Sequence, residues 1–210
     1  IPHRRQVKLL RPFFDIGPIE IIGHQNDNAG GSDLFITKLN TAGTPVYNSF
    51  LGGSDTDEGF GITVDPAGNQ VYLTGRTLSS AFPGTVGSPV GQDAFVTKIN
   101  IATNTIAYSR YLGSPGVDVG NAIAIDTTGA AYVAGSTSST SFYSQNPLPE
   151  MVANGGNVDG FITRFDPAGN PSYSSRIGGN FDDVATSVAT FQAAQGTKVY
   201  VSGYTNSGNF

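Results

Sequence analysis

Apolar and polar residues alternate with a period of two along most of this chain, in short runs that come in sets of four. In residues 122–126, Ile123 and Ile125 fall on one face and Ala122 and Ala124 on the other, the period expected of a β-strand. Residues 93–100 (DAFVTKIN) place Phe95, Thr97 and Ile99 on one face and Val96 and Lys98 on the other. Runs at 70–77 and 105–113 complete the set. The breaks between runs carry turn chemistry: Asp65-Pro66-Ala67-Gly68-Asn69, Asp126-Thr127-Thr128-Gly129 and Asp166-Pro167-Ala168-Gly169-Asn170. Proline presets φ in such turns, and glycine supplies the positive φ. No segment has the 3.6-residue period of a helix, so the pattern predicts an all-β chain.

The sets repeat. DLFITKLN (33–40), DAFVTKIN (93–100) and DGFITRFD (159–166) start 60 and 66 residues apart. Each is followed by Leu51-Gly52-Gly53, Leu112-Gly113-Ser114 or Ile177-Gly178-Gly179, and then by an acidic turn with Asp57, Asp118 or Asp183 in one equivalent place. Each unit closes on VYLTG (71–75), AYVAG (131–135) or VYVSG (199–203). Self-similarity of this length marks a solenoid, a propeller or an array, and four short antiparallel strands per repeat is the pattern of propeller blades. The small face of the first strand (Ala122 and Ala124, with Gly61 and Thr63 or Ser187 and Ala189 equivalent) lets a neighbouring sheet approach closely. Tyr72, Tyr132 and Tyr200 recur in phase and are expected to pack between blades.

DAFVTKIN, YSRYLG and IAIDTTGAAYVAGST, recurring in order over residues 19–205 in three copies, closely resemble the bacterial beta-propeller repeat called SBBP. The resemblance implies blades of large secreted or cell-surface proteins, mostly without an assigned activity, and transfers no catalytic signature. By analogy with other propeller repeats, the strands at 60–65, 121–126 and 184–190 are expected innermost. The chain then runs outward through 70–77, 93–100 and 105–113. The inter-blade links fall near 52–59, 113–120 and 178–184, and 78–92 and 138–158 become excursions within a blade. Residues 19–23 (IEIIG) match VYLTG, so residues 19–210 form a repeat domain that opens on a second strand and stops after another at 198–204. That is about three blades' worth, incomplete at both ends, against the four to eight of a closed ring. Either the chain is a piece of a longer protein or copies complete one another. In the second case the half blade at 184–204 receives strands 33–52 of a neighbour. Two copies then close a six-bladed ring, and a non-closing version grows as a filament.

Composition narrows the picture. Of 210 residues, 38% are hydrophobic and 13% charged, with 28 Gly and 12 Pro, which suits many strands joined by tight turns. There is no Cys, which excludes disulfides and thiolate metal sites, and no apolar run long enough to insert into a membrane as a helix. The opening Ile1, without a visible signal peptide, predicts a processed chain or a fragment. Residues 1–11 carry Arg4, Arg5, Lys8 and Arg11 and no acid, whereas the rest carries 7 basic and 16 acidic side chains, a balance of −9. An acidic body argues against nucleic acid. The basic extension at 1–18 reads either as an assembly arm docking on another copy's body or as a solvated tail.

Candidate chemistry is sparse. His3 and His24 lie outside the repeated motifs with no triad partners, and no residue qualifies as catalytic, cofactor-binding or metal-ligating. Asp55, Asp57 and Glu58 in SDTDEG are the densest acidic cluster and the one candidate Ca²⁺ loop. The sister loops lack that set, so Asp57, Asp118 and Asp183 are expected to accept backbone hydrogen bonds ordering the inter-blade turns. Asp33, Asp93 and Asp159 are expected to cap the turn before each strand. Phe82, Phe142, Tyr143, Leu148 and Met151 lie in the long excursions, whose aromatics could stack on a carbohydrate or pack locally. The sequence thus predicts a non-enzymatic, extracellular or cell-surface, structural or adhesive module that self-associates. A carbohydrate-binding propeller module of a larger protein is the alternative.

Overall fold

The computed structural model describes residues 28–86, 89–142, 146–148 and 156–209. The basic extension, the 19–23 run and both histidines lie outside them. The described residues form strands and no helix: β1 (Leu34–Leu39), β2 (Pro45–Leu51), β3 (Asp57–Val64), β4 (Gln70–Thr77), β5 (Thr85–Val86), β6 (Gly91–Asn100), β7 (Thr105–Leu112), β8 (Gly116–Ile125), β9 (Ala131–Thr137), β10 (Asp159–Phe165), β11 (Pro171–Ile177), β12 (Asp183–Ala193) and β13 (Gly196–Thr205).

Two complete blades are four-stranded antiparallel meanders, β3-β4-β6-β7 and β8-β9-β10-β11. The described residues begin and end on half blades. β1-β2 supplies the third and fourth strands of a first blade, and β12-β13 the first and second strands of a fourth. This is the incomplete propeller architecture that the repeat predicts. Equivalent strand pairs share their register: Gly75 faces Phe95 and Thr77 faces Asp93, as Gly135 faces Phe161 and Thr137 faces Asp159. They also share their irregularities, with a bulge in each first strand between Gly59 and Gly61, Gly120 and Ala122, and Ala185 and Ser187. A bulge adds local twist, and its recurrence makes it part of the repeat. The turn glycines Gly68, Gly129 and Gly169 have φ of 69°, 83° and 83°, the left-handed region that glycine enters without strain.

Each apolar core lies between two blades. Leu34, Ile36 and Leu51 of the first blade meet Leu73, Phe95 and Ile99 of the second. Val96 and Leu112 of the second meet Ile123, Val133 and Phe161 of the third. Tyr132, Ala134 and Ile162 of the third meet Ala185 and Val188 of the fourth. Each complete blade is therefore covered on both faces, which is why its strands tolerate apolar residues at successive positions. The first strands approach backbone to backbone. A Cβ on Gly61 would lie 3.1 Å from Ala122 Cα and from Ile123 N, so the small-residue face serves the close approach it predicts.

Candidate functional site

Two kinds of polar or open structure stand out from the packed blades: the acidic passages between blades, and the unpaired sheet edges at either end.

Each passage is built from the repeat's own residues. Asp57 Oδ2 accepts the Gly53 amide at 2.7 Å and the Ser79 hydroxyl at 2.7 Å. Asp118 Oδ2 accepts the Ser114 amide at 3.0 Å and Ser139 at 2.9 Å. Asp183 Oδ2 accepts the Gly179 amide at 2.6 Å and Ser207 at 2.9 Å. These are the turn-ordering hydrogen bonds expected of the three aspartates. The second aspartate of each passage lies at the start of a third strand. Asp33 and Asp93 take the Ala29 and Val90 amides at 2.8 and 2.9 Å and so close the preceding turn. Asp159 takes no amide among the described residues and pairs with Arg176 at 3.2 Å, while the Asn157 and Val158 amides donate to Asp182. The passages need glycine because a carboxylate lies where a side chain would begin: a Cβ on Gly52 or Gly113 would fall on Oδ1 of Asp33 or Asp93. That Oδ1 is buried without a hydrogen-bond partner in all six aspartates.

Burial raises the pKa of a carboxyl and hydrogen bonds to its charged form lower it. In the middle passage burial wins. It pushes Asp118 up against the pull of the nearby Thr137 hydroxyl, the Ser114 amide and Ser139. It also pushes Asp93 up against the Val90 amide, with help from the Asp118 charge. In the last passage burial also acts upward on Asp183, but hydrogen bonding from Thr205, the Gly179 amide and Ser207 outweighs it and holds the carboxyl below its usual range. The donors are equivalent, and the fourth blade is only half built.

The candidate Ca²⁺ loop does not converge. Glu58 turns to Arg76, Asp55 Oδ2 takes the Ser54 hydroxyl at 3.3 Å, and Asp57 is committed to its turn. Among the described residues, no group of three or more His, Asp or Glu side chains comes together. Two of the excursion aromatics pack inside the blades. Phe82 and Phe142 are buried and pack on Phe95 and Phe161, ring centroids 4.6 Å apart in both pairs. Their faces are therefore not open to a sugar. Leu148 packs against the third core, and Tyr143 and Met151 lie outside the described residues.

The open edges are the other feature. Tyr72 and Tyr132 are buried, as expected for packing residues, but Tyr200 is 58% exposed. Phe95 and Phe161 are fully buried, whereas Phe35 in the same place of the repeat is 73% exposed. Ile62 is exposed where its counterpart Ile123 is buried. Tyr72 and Tyr132 pack on the blade that follows, and Phe95, Phe161 and Ile123 on the blade before; the described residues offer no such face to Tyr200, Phe35 or Ile62. Against β13 lies a cavity of about 360 Å³, lined by Gly160, Ile177, Ala185, Val201, Gly203 and Thr205 among others. The signal for this site was in the sequence as the repeat's phase at its two ends, but repetition alone gives no exposure.

A family model described as a beta-propeller repeat, SBBP, matches residues 51–83 and 107–143. The first match starts at the end of β2 and the second within β7, and each then runs through a passage, a first and a second strand into the excursion that follows. No curated protein matches the chain.

Proposed function

The chain carries SBBP beta-propeller repeats, and from that premise we propose that it is a non-enzymatic, extracellular structural or adhesive module that self-associates by completing split blades between copies. The observation that carries this reading is the complementarity of the two ends. Among the described residues, one end shows the third and fourth strands of a blade (β1-β2) and the other the first and second (β12-β13). An unpaired strand edge is a template for pairing with another chain, and here the template and its filler belong to one sequence. Because the two surfaces differ, the contact is head to tail, closing into a ring or extending as a filament. Analytical ultracentrifugation over a wide concentration range, followed by negative-stain electron microscopy, tests it. Concentration-dependent rings or filaments are expected. A monomer that persists at every concentration sinks the proposal.

A further inference from the structure

The passage between the two complete blades buries two carboxylates that face each other across a glycine. Asp93, on β6 of the second blade, is 2% exposed, and Asp118, on β8 of the third, is 0% exposed. They meet at Gly113, where a Cβ would fall on Asp93 Oδ1 and lie 2.6 Å from Asp118 Oδ2. Every hydrogen bond they make among the described residues is an accepted one. Asp93 takes the Val90 amide, and Asp118 takes the Ser114 amide and the Ser139 hydroxyl. Donors of this kind favour the ionised form of a carboxyl. The supply is short, because the single Ser139 proton is also within reach of the Ser114 carbonyl at 2.9 Å. Oδ1 of each aspartate is buried with no hydrogen-bond partner. Among the described residues no basic side chain reaches either one; the ion pairs there join Arg76 to Glu58 and Arg176 to Asp159. Two buried like charges without a counter-charge are strongly disfavoured.

The last passage has the same acid pair with a cation supplied by the chain. A Cβ on Gly178 would lie 2.6 Å from Asp183 Oδ2 and 3.0 Å from Asp159 Oδ1, and there the Arg176 guanidinium reaches Asp159 at 3.2 Å. Arg176 stands opposite Phe161 as Tyr111 stands opposite Phe95. Tyr111 carries no charge, and its hydroxyl is engaged by the Phe82 amide and the Ser79 carbonyl. We infer that the middle passage takes a divalent, oxygen-seeking metal ion, best matched by Ca²⁺, between the Asp93 and Asp118 carboxylates through their free Oδ1 atoms. Carboxylate oxygens suit such an ion, and Ca²⁺ accepts irregular ligand sets completed by carbonyls and water, which Mg²⁺ does less readily. With only two carboxylates the affinity belongs at the weak end of protein calcium sites, about 0.1–1 mM. The site is separate from the SDTDEG loop, whose acids diverge. It is also independent of self-association, since it lies inside one chain. Its consequence is mechanical: the ion ties the third strand of one blade to the first strand of the next.

The test uses the full 210-residue chain, dilute and stripped with a chelator. CaCl₂ is titrated in at neutral pH and constant ionic strength, and binding is followed by calorimetry and by melting temperature. The expected result is saturable binding, with melting raised by about 3 °C or more at a calcium concentration about ten times the dissociation constant. Two variants locate the ion. Asp93→Asn should bind one ion fewer per chain than the parent. Arg176→Gln, which takes the guanidinium from the last passage, should bind one more. If calcium gives neither heat nor a shift, or only the shift that NaCl gives at matched ionic strength, the inference falls and a proton shared by the two carboxyls replaces the ion. An ion count unchanged from the parent in either variant overturns the assignment to this passage.

Discussion

Phe161 and Phe35 come from nearly the same octapeptide, DGFITRFD and DLFITKLN, yet one is fully buried and the other is among the most exposed large side chains described. Tyr132 and Tyr200 make the same contrast one strand inward. Complete and half blades therefore differ little in sequence and greatly in environment. Local pattern decides that a residue lies on a strand and which way it points; only the neighbouring strand decides whether it is core. In a repeat protein stability is close to a sum of unit and interface terms, so the ends are where the same residues switch from holding the fold to offering a surface.

The largest expected effect separates these roles directly. Phe161→Ala removes a ring from a filled interface and should cost about 3–5 kcal/mol, whereas Phe35→Ala in dilute protein should cost less than about 0.5 kcal/mol. Denaturant titration of both variants checks this, and equal losses would mean that β1 is already covered within one copy.

The passages give a smaller contrast. Ser139→Ala deprives the buried Asp118 of a donor and should cost about 1–3 kcal/mol; Ser207→Ala, at the half-built passage, should cost less in the same titration. A reversed order would place the greater strain at the open end.

The pH dependence of the two passages should have opposite signs. Asp93 and Asp118 have folded pKa values raised by burial, so the folded chain holds protons that the unfolded chain has released. Their contribution is fully present below the unfolded value and is lost as pH rises through the folded values. Asp183 is lowered; its contribution is present above the unfolded value and is lost as pH falls through the folded one. Melting temperature followed from mild acid to neutrality should therefore fall modestly in the parent chain. Asp93→Asn should flatten that fall, because an amide brings no charge and can donate to its neighbour. Asp183→Asn should instead weaken the protein at neutral pH. Matching behaviour of the two variants would remove the distinction between passages.

Much of this was legible beforehand. Period-two alternation located β4, β6, β7 and β9 closely, and the Asp-to-Gly turns predicted the positive φ of Gly68, Gly129 and Gly169; β8 instead begins at Gly116, within the stretch expected as a link between blades. Asp57, Asp118 and Asp183 were readable as turn acceptors because they recur at a fixed distance from a glycine. Other features depended on partners distant in sequence. Asp159 looks like Asp33 and Asp93, but Arg176 stands on the adjacent strand where the second blade has Tyr111 and the first has Phe50, and it pairs with the carboxylate. Strand β12 runs on to Ala193, past its expected end at 190, because β13 pairs with it along the whole hairpin. The short parallel pairing of β5 with β7 has no periodic signature at all. Phe82 and Phe142 sit in irregular segments where aromatic residues suggest a ligand; they are core because Phe95 and Phe161 reach out to them.

The first-strand bulges also bear on selectivity. Each second strand presents its neighbour with a fixed order of wide and narrow places, a glycine opposite phenylalanine and a threonine opposite aspartate. A strand offered to β13 one residue out of step would turn its aromatic outward and bring a polar side chain over Gly203, since alternate residues face opposite ways. An intruding segment without that order gains the backbone hydrogen bonds but forfeits the apolar contact. The edge that exposes this chain to stray pairing thus also proofreads what pairs with it.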